Sequence, residues 1–262
     1  MIDQDIIETG LALFFAHVIA DFVLQVRWII DRKHRLGPFF VHVVIVAATA
    51  FALLGALSGD ALMAVAIVTG SHALIDWAKL RVSRTSRVGG HARGAPVLFL
   101  IDQALHVLAI ALTAWYFRDA WNQGWWAAFP GTWQTGFLTV LSLVSGFVLA
   151  TRAGGFVIGM FMAGFESSQP SDDESDQGLI EGGKWIGLLE RALIFVLVLA
   201  QQFQAIGFLI AAKSILRFQY AKERSHSETV IIGTLASFGW AIAVSWGTLE
   251  LIELLNAATS PE

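Results

Sequence analysis

The chain has 262 residues, of which 56% are hydrophobic and only 15% are charged, and it contains no cysteine. Soluble domains carry about 25% charged residues, so this composition predicts a membrane protein that crosses the bilayer several times, and it excludes disulfides and thiolate metal ligands. The net charge of −4 excludes no class of membrane protein, because orientation depends on where the charges lie.

Seven apolar runs follow one another along the chain, and most of them approach or exceed the ~17 residues that a helix needs to cross the hydrocarbon. They cover residues 6–30, 39–57, 61–80, 96–117, 133–150, 185–200 and 230–255. Residues 203–216 form either another crossing or a re-entrant piece. No segment alternates with period two. We therefore predict an all-α, polytopic transmembrane helix bundle with about seven to eight membrane segments and with re-entrant or interfacial pieces in its second half.

Basic residues indicate the orientation of these helices. They cluster between the first and second runs and again between the third and fourth, whereas the chain begins with the acidic stretch Met1–Asp5, which does not resemble a signal peptide. Cytoplasmic connections carry an excess of Lys and Arg. We therefore expect both basic connections in the cytoplasm and the N-terminus outside. The residues are Arg27, Arg32, Lys33 and Arg35, then Lys79, Arg81, Arg84, Arg87 and Arg93.

Composition also changes along the chain. Residues 1–120 form a four-helix membrane half, and residues 121–262 form a glycine-rich membrane half. In the second half, "GGFVIG" at 154–159 is echoed by "GGKWIG" at 182–187, and each echo is expected to open an apolar helix, where small residues allow close packing. Between the echoes, the acidic, Ser-rich residues 166–181 predict a solvated loop.

Histidine and aspartate recur at one-turn spacing in three motifs, "AHVIADFVLQ" at 16–25, "SHALID" at 71–76 and "IDQALH" at 101–106. Residues four apart share a helix face and lie ~6 Å apart along the axis. The fourth helix runs opposite to the first and third and reads Asp before His, so every Asp lies nearer the cytoplasm. A seventh residue, in the second helix, joins from the same side. We predict one layered site formed by His17, Asp21, His42, His72, Asp76, Asp102 and His106.

The chemistry of this layer admits three interpretations. Ionisable residues within membrane helices are costly and are by default candidates for function. Imidazole and carboxylate groups without thiolate suit a divalent metal, Zn²⁺, Mn²⁺ or Fe²⁺, which would offset three neighbouring negative charges. The same residues also suit interhelical His–Asp hydrogen bonds or a proton or ion pathway. No nucleotide-binding loop, serine-nucleophile elbow or HExxH motif occurs, so neither a nucleotide nor haem is implied.

Other polar residues border the apolar runs. Gln25 extends the first His–Asp pair into a stripe, and Lys79 lies one turn beyond Asp76, where it could reach the headgroups or attract an anionic substrate. These two are the candidates for catalytic roles. In the second half, Glu190 and Arg191 begin one apolar helix and Lys213 ends another. A buried carboxylate needs a partner, so we expect structural ion pairs among these three residues.

With these motifs in hand, the chain resembles an uncharacterised bacterial membrane family, Domain of Unknown Function three-three-zero-seven. The resemblance is carried by "AHVIADFVLQ", "SHALIDWAK" and "IDQALH" in the first half, and longer members are similar also in "IGLLERALIF", "QFQAIGFLIAAKSILRF" and "IIGTLASFG". It implies a multi-pass protein of the bacterial inner membrane and supports the site without naming its chemistry.

Together these features favour a metal-dependent membrane hydrolase that acts on a lipid or lipid-linked substrate near the cytoplasmic leaflet. The alternatives are an ion- or proton-coupled transporter that uses the same residues, or a non-enzymatic membrane scaffold. The outer halves of the first four helices are almost purely apolar, which favours the hydrolase over the transporter. Membrane lipids are the expected partners and nucleic acid is not; protein partners and an oligomeric state stay open.

Overall fold

The computed structural model describes residues 3–85, 95–166, 182–218 and 224–259. Every regular element within these ranges is a helix, which confirms the prediction of an all-α helical bundle. Apart from Glu166, the acidic segment predicted at 166–181 lies outside the described residues.

The helices of the N-terminal part begin close to the residues that the apolar runs predict. Asp3 caps α1 by accepting a hydrogen bond from the Asp5 amide. At its other end α1 passes into a π-helical turn, Ala20–Leu24, which contains Asp21. α3 ends at Gly55, whose φ of 67° is the left-handed conformation common after helix ends. The bounds are α1 Gln4–Ile19, α2 Arg27–Arg32, α3 Leu36–Leu54, α4 Gly59–Thr85 and α5 Ala95–Tyr116.

The remaining helices are α6 Gly131–Val148, α7 Gly154–Glu166, α8 Gly182–Leu199, α9 Phe203–Phe218 and α10 Arg224–Thr259. Each of the two glycine echoes opens a helix, as predicted, because α7 begins at Gly154 and α8 at Gly182, and a π-helical turn, Leu149–Ala153, joins α6 directly to α7. Side chains from other helices satisfy carbonyl groups in this turn. Arg191 Nε donates to the Thr151 carbonyl at 3.2 Å, and Trp240 Nε1 donates to the Leu149 carbonyl at 2.9 Å.

Six helical segments in the described residues are long and apolar enough to cross a membrane, which supports a multi-pass membrane protein. The expected seven to eight segments included α8 and α9, which do not meet this measure. α8 carries three charged residues, Lys184, Glu190 and Arg191, and the apolar part of α9 is the shorter Phe203–Ile215. The six are Gln4–Leu24, Leu36–Leu54, Gly59–Ser83, Pro96–Tyr116, Gly131–Gly164 and Ile231–Ala257.

The chain forms two compact units. The first comprises the described residues of Met1–Gly90, Val97–Ser145 and Glu250–Glu262, and the second those of His91–Pro96 and Gly146–Leu249. Each unit has its own buried apolar cluster. The cluster of the first unit includes Leu11, Leu13, Ala50, Leu54, Trp121 and Leu255, and that of the second includes Ile194, Val198, Ile206 and Phe238.

Candidate metal centre

Four helices of the first unit bring all seven predicted His and Asp residues together. α1 and its π-helical turn supply His17 and Asp21, and α3 supplies His42. The Asp21 side chain is 9% exposed and His42 is fully buried. The other four, from α4 and α5, are at most 4% exposed: His72, Asp76, Asp102 and His106.

The four imidazoles form one layer around His72. Its ring centroid lies 4.2 Å from that of His106, 5.1 Å from that of His42 and 5.5 Å from that of His17. The rings of His17 and His106 stack at 4.9 Å with an interplanar angle of 17°. Each ring comes from a different helix, so this layer joins all four helices at one level.

Two imidazoles and two carboxylates point their ligand atoms at one small volume. His42 Nε2 lies 3.0 Å from His72 Nε2, 3.2 Å from Asp21 Oδ1 and 3.3 Å from Asp76 Oδ2. His72 Nε2 lies 3.4 Å from each of the same two carboxylate oxygens. A tetrahedral site with bond lengths of about 2.0–2.1 Å has ligand atoms about 3.3–3.4 Å apart. The five separations that involve an imidazole nitrogen are therefore close to the spacing of zinc ligands, and we call these four atoms the tetrahedral set.

Among these four atoms, good hydrogen-bond geometry joins only the two nitrogens. Asp21 Oδ1 approaches both Nε2 atoms, yet it has no hydrogen-bond partner among the described residues. The two nitrogens can share only one proton between them. A cation at the centre of the tetrahedral set would satisfy all four atoms at once.

His106 has a fixed tautomer. Its Nδ1 lies 2.8 Å from the backbone carbonyl of Asp102, and because a carbonyl only accepts, Nδ1 carries the proton. The Nε2 atom of the neutral ring then presents a lone pair. In the described part of the chain this buried atom has no hydrogen-bond partner. A ring nitrogen held in this way is typical of metal-ligating histidines, whose other nitrogen donates to a carbonyl or carboxylate.

Gln103 fixes His17 in a similar way, a role that the sequence pattern did not predict. Gln103 Nε2 donates to Asp102 Oδ2 at 3.0 Å, so its Oε1 faces His17 and accepts from His17 Nε2 at 3.3 Å. His17 Nδ1 then carries the lone pair, 3.9 Å from Asp21 Oδ2 and without a hydrogen bond in the described ranges.

Two lysines border the layer. Lys33 Nζ lies 2.6 Å from Asp76 Oδ2, and Lys79 Nζ lies 2.8 Å from Asp102 Oδ2. Lys79 is a predicted site residue, although its partner is Asp102 and not Asp76, the aspartate one turn away. From the sequence, Lys33 was interpreted only as one of the basic residues that indicate the orientation of the helices. With neutral imidazoles, three carboxylates and two ammonium groups leave the cluster with one net negative charge.

Gln25, the other catalytic candidate, is not brought into contact with the layer by any hydrogen bond. It follows the π-helical turn, and its Nε2 is buried without a partner among the described residues.

On the side of the layer away from the two lysines, the helices enclose a small cavity of about 10 Å³. This is about the space that one water molecule requires. His17, His72 and His106 line it together with apolar side chains that include Leu13 and Ile110. The layer therefore meets an apolar wall with room for a single water.

In the second unit, Glu190 and Lys213 form an ion pair whose side chains are each 13% exposed. Arg191, expected to take part in ion pairing, instead donates to neutral oxygens, the Thr151 carbonyl and Ser237 Oγ. It is only 6% exposed. Its role is therefore to satisfy the π-helical turn between α6 and α7.

Comparison with known proteins places the His and Asp layer in a family segment. No curated protein and no solved structure matches the chain. Residues 10–129 match a family described as "Protein of unknown function (DUF3307)". This segment contains the seven His and Asp residues, both bordering lysines and Gln103. Over residues 10–129 the chain therefore resembles the DUF3307 family, and the candidate metal centre lies wholly within that resemblance.

Proposed function

We propose that the tetrahedral set binds a divalent cation and that the protein is a metal-dependent membrane hydrolase for a lipid or lipid-linked substrate. One observation carries the proposal. Four buried ligand atoms from three helical segments converge, and the five distances from an imidazole nitrogen to another of these atoms are 3.0–3.4 Å. Zn²⁺, Mn²⁺ and Fe²⁺ all accept imidazole and carboxylate ligands.

Charge supports a cation at this position. The cluster carries one net negative charge without it and one net positive charge with it, so the ion would help to compensate three carboxylates that are almost completely buried. A positive cluster also favours an anionic substrate.

Catalysis requires an open coordination position. Asp76 is the ligand best suited to leave the ion and open such a position, because its carboxylate would remain paired with Lys33 after it leaves. When bound, a divalent cation lowers the pKa of water and polarises the bond to be cleaved. His17 Nδ1, with its lone pair, is the proposed base. The water oxygen bonds to the acyl carbon or phosphorus, its proton passes to His17, and the leaving oxygen departs with a proton from the medium.

Buried apolar residues support a hydrolase over a transporter. Beyond the His layer, α1, α3, α4 and α5 contribute Leu13, Ala50, Val68 and Ile110, which are all at most 6% exposed. The buried polar residues Glu8, Thr9 and Thr113 lie further along α1 and α5. A translocation pathway would require polar groups to continue through this region. We place Lys33 and Lys79 at the cytoplasmic face of a bacterial inner membrane, where the headgroup of a lipid substrate could reach them.

Metal analysis and lipid hydrolysis test the proposal in sequence. Detergent-purified protein is stripped with a chelator, reloaded with Zn²⁺ or Mn²⁺, and incubated in mixed micelles with a bacterial total lipid extract, and products are identified by mass spectrometry. We expect bound metal and metal-dependent cleavage, both lost in His42→Ala. His34→Ala, at an exposed position, is the matched control. Failure to bind either metal would overturn the whole proposal, and binding without metal-dependent products would overturn the hydrolase.

A further inference from the structure

A second group of ligand atoms lies beside the tetrahedral set. Asp76, Asp102 and His106 each offer one atom, and these atoms lie within 4.8 Å of one another. Two buried atoms of these residues, His106 Nε2 and Asp102 Oδ1, have no hydrogen-bond partner among the described residues. Both are acceptors, so neither can satisfy the other.

We propose that these three residues bind a second divalent cation and that Asp76 bridges the two ions. The proposal rests on the proposed function, because Asp76 is also a member of the tetrahedral set. A carboxylate has two oxygens and can serve two cations. With three protein ligands, the second position keeps at least one coordination site for water or substrate, as catalytic metal sites do. Asp76 would have to leave the metal only if a single ion is bound, and with two ions it stays bound to both.

The surroundings hold these ligands in place. The Asp102 carbonyl fixes the His106 ring, while Lys79 and Gln103 hold Asp102 Oδ2 and leave Oδ1 free. Such contacts orient metal ligands and are a regular part of metal sites. One water molecule that donates to both free acceptors is the competing occupant, and the experiment below separates it from a cation.

Two ions narrow the substrate class to a phosphate ester of a membrane amphiphile. Paired cations about 3.5–4 Å apart stabilise both the attacking and the leaving oxygen of an in-line displacement at phosphorus. With two ions the cluster would carry three net positive charges, which suits a phosphate group. The water oxygen forms the new bond to phosphorus, its proton goes to His17 Nδ1, and the bond from phosphorus to the alcohol oxygen breaks. The alcohol oxygen takes a proton from the medium.

Zinc stoichiometry provides the direct test. Chelator-treated, full-length protein in detergent is titrated with Zn²⁺, and we expect two ions per chain in the wild type, one in His106→Gln and two in the control His34→Gln. Asp102→Asn is the second variant, expected to bind one ion, should His106→Gln not fold. With Mn²⁺, the wild type should show an exchange-coupled electron paramagnetic resonance spectrum, and His106→Gln the spectrum of an isolated ion.

The outcomes separate this inference from the function on which it rests. One ion in the wild type that persists in His106→Gln and is lost in His42→Gln overturns the second cation and leaves the first, with water as the occupant. Two ions that both persist in His106→Gln also overturn it. No bound ion overturns both proposals. With phosphatidic acid in mixed micelles, phosphate release supports the substrate class, and release of fatty acid alone, or of neither product, overturns it.

Discussion

Lys33 Nζ lies 2.6 Å from Asp76 Oδ2, the same oxygen that faces the Nε2 atoms of His42 and His72. A cation of the protein and a proposed metal ion therefore act on one carboxylate. The ammonium compensates Asp76 when no metal is bound, and it keeps the carboxylate paired when Asp76 leaves the metal. Removal of Lys33 should consequently destabilise the metal-free protein more than the metal-loaded protein.

Lys33→Met should destabilise the metal-free protein by about 3 kcal/mol, because it leaves a buried carboxylate without its closest partner. Added Zn²⁺ should restore most of this loss, since the ion supplies the missing positive charge. Thermal unfolding in detergent with and without Zn²⁺ measures both effects. Arg32→Met, at an exposed neighbouring position, is the control. Equal stability of the two metal-free variants would contradict the prediction.

Gln103→Leu should weaken Zn²⁺ binding at the proposed second position by roughly 10–100-fold, the usual effect of removing a residue that orients a metal ligand, here Asp102. The substitution removes the acceptor for His17 Nε2 and a donor to Asp102 Oδ2. Isothermal titration calorimetry gives the affinity directly. Gln123→Leu changes an exposed glutamine to the same residue and should have no effect. An unchanged affinity in Gln103→Leu would show that His17 and Asp102 need no such support.

The orientation of the helices in the membrane can be tested by labelling introduced cysteines, and the chain itself gives no background labelling because it contains no cysteine. We expect Ser58→Cys, between α3 and α4, to react with an impermeant maleimide from outside the cell. Ser83→Cys, beside the basic residues after α4, should react only after the membrane is permeabilised. The reverse pattern would place Lys33 and Lys79 at the outer face and would exclude a substrate from the cytoplasmic leaflet.

Glu190 and Lys213 should show strong coupling in a double-mutant cycle. Each single substitution, Glu190→Leu or Lys213→Met, removes one member of a mostly buried ion pair and should cost about 3–5 kcal/mol. The double variant should cost much less than the sum, with a coupling energy within the usual range of about 0.5–3 kcal/mol. Chemical or thermal unfolding in detergent supplies the four free energies of unfolding. Additive effects would show that the pair contributes no net interaction.

The His and Asp layer could be predicted from sequence because two simple rules determine it. The i, i+4 spacing places each pair on one helix face, and the alternation of helix direction brings the pairs to one level. The partners within the layer could not be predicted. His17 Nδ1 lies 3.9 Å from Asp21 in its own helix, whereas the closer approach to Asp21 comes from His42 on another helix, at 3.2 Å. Which His approaches which Asp depends on the tilt and rotation of the helices, and the spacing of residues in the sequence does not determine these.

Lys33 and Gln103 were missed for different physical reasons. Lys33 follows the short helix α2, and the turn into α3 determines where its long side chain reaches. Gln103 is adjacent to Asp102, and neighbouring residues do not share a helix face, so only the packing of α5 against α1 reveals its bridge to His17. The direct join of α6 to α7 was missed as well, because the π-helical turn between them depends on Arg191 and Trp240, which donate to its carbonyls from other helices.

The course of α10 has a consequence for biosynthesis. Its residues up to Leu249 belong to the second unit, while Leu255 is buried in the same apolar cluster as Leu11 and Leu13 of α1. A nascent chain that already contains every His and Asp of the layer therefore still lacks part of the core that supports α1. Until the ribosome has added Leu255, the helices that carry these residues are held by an incomplete core, so the His and Asp layer should reach its final rigidity only after the second unit has been synthesised.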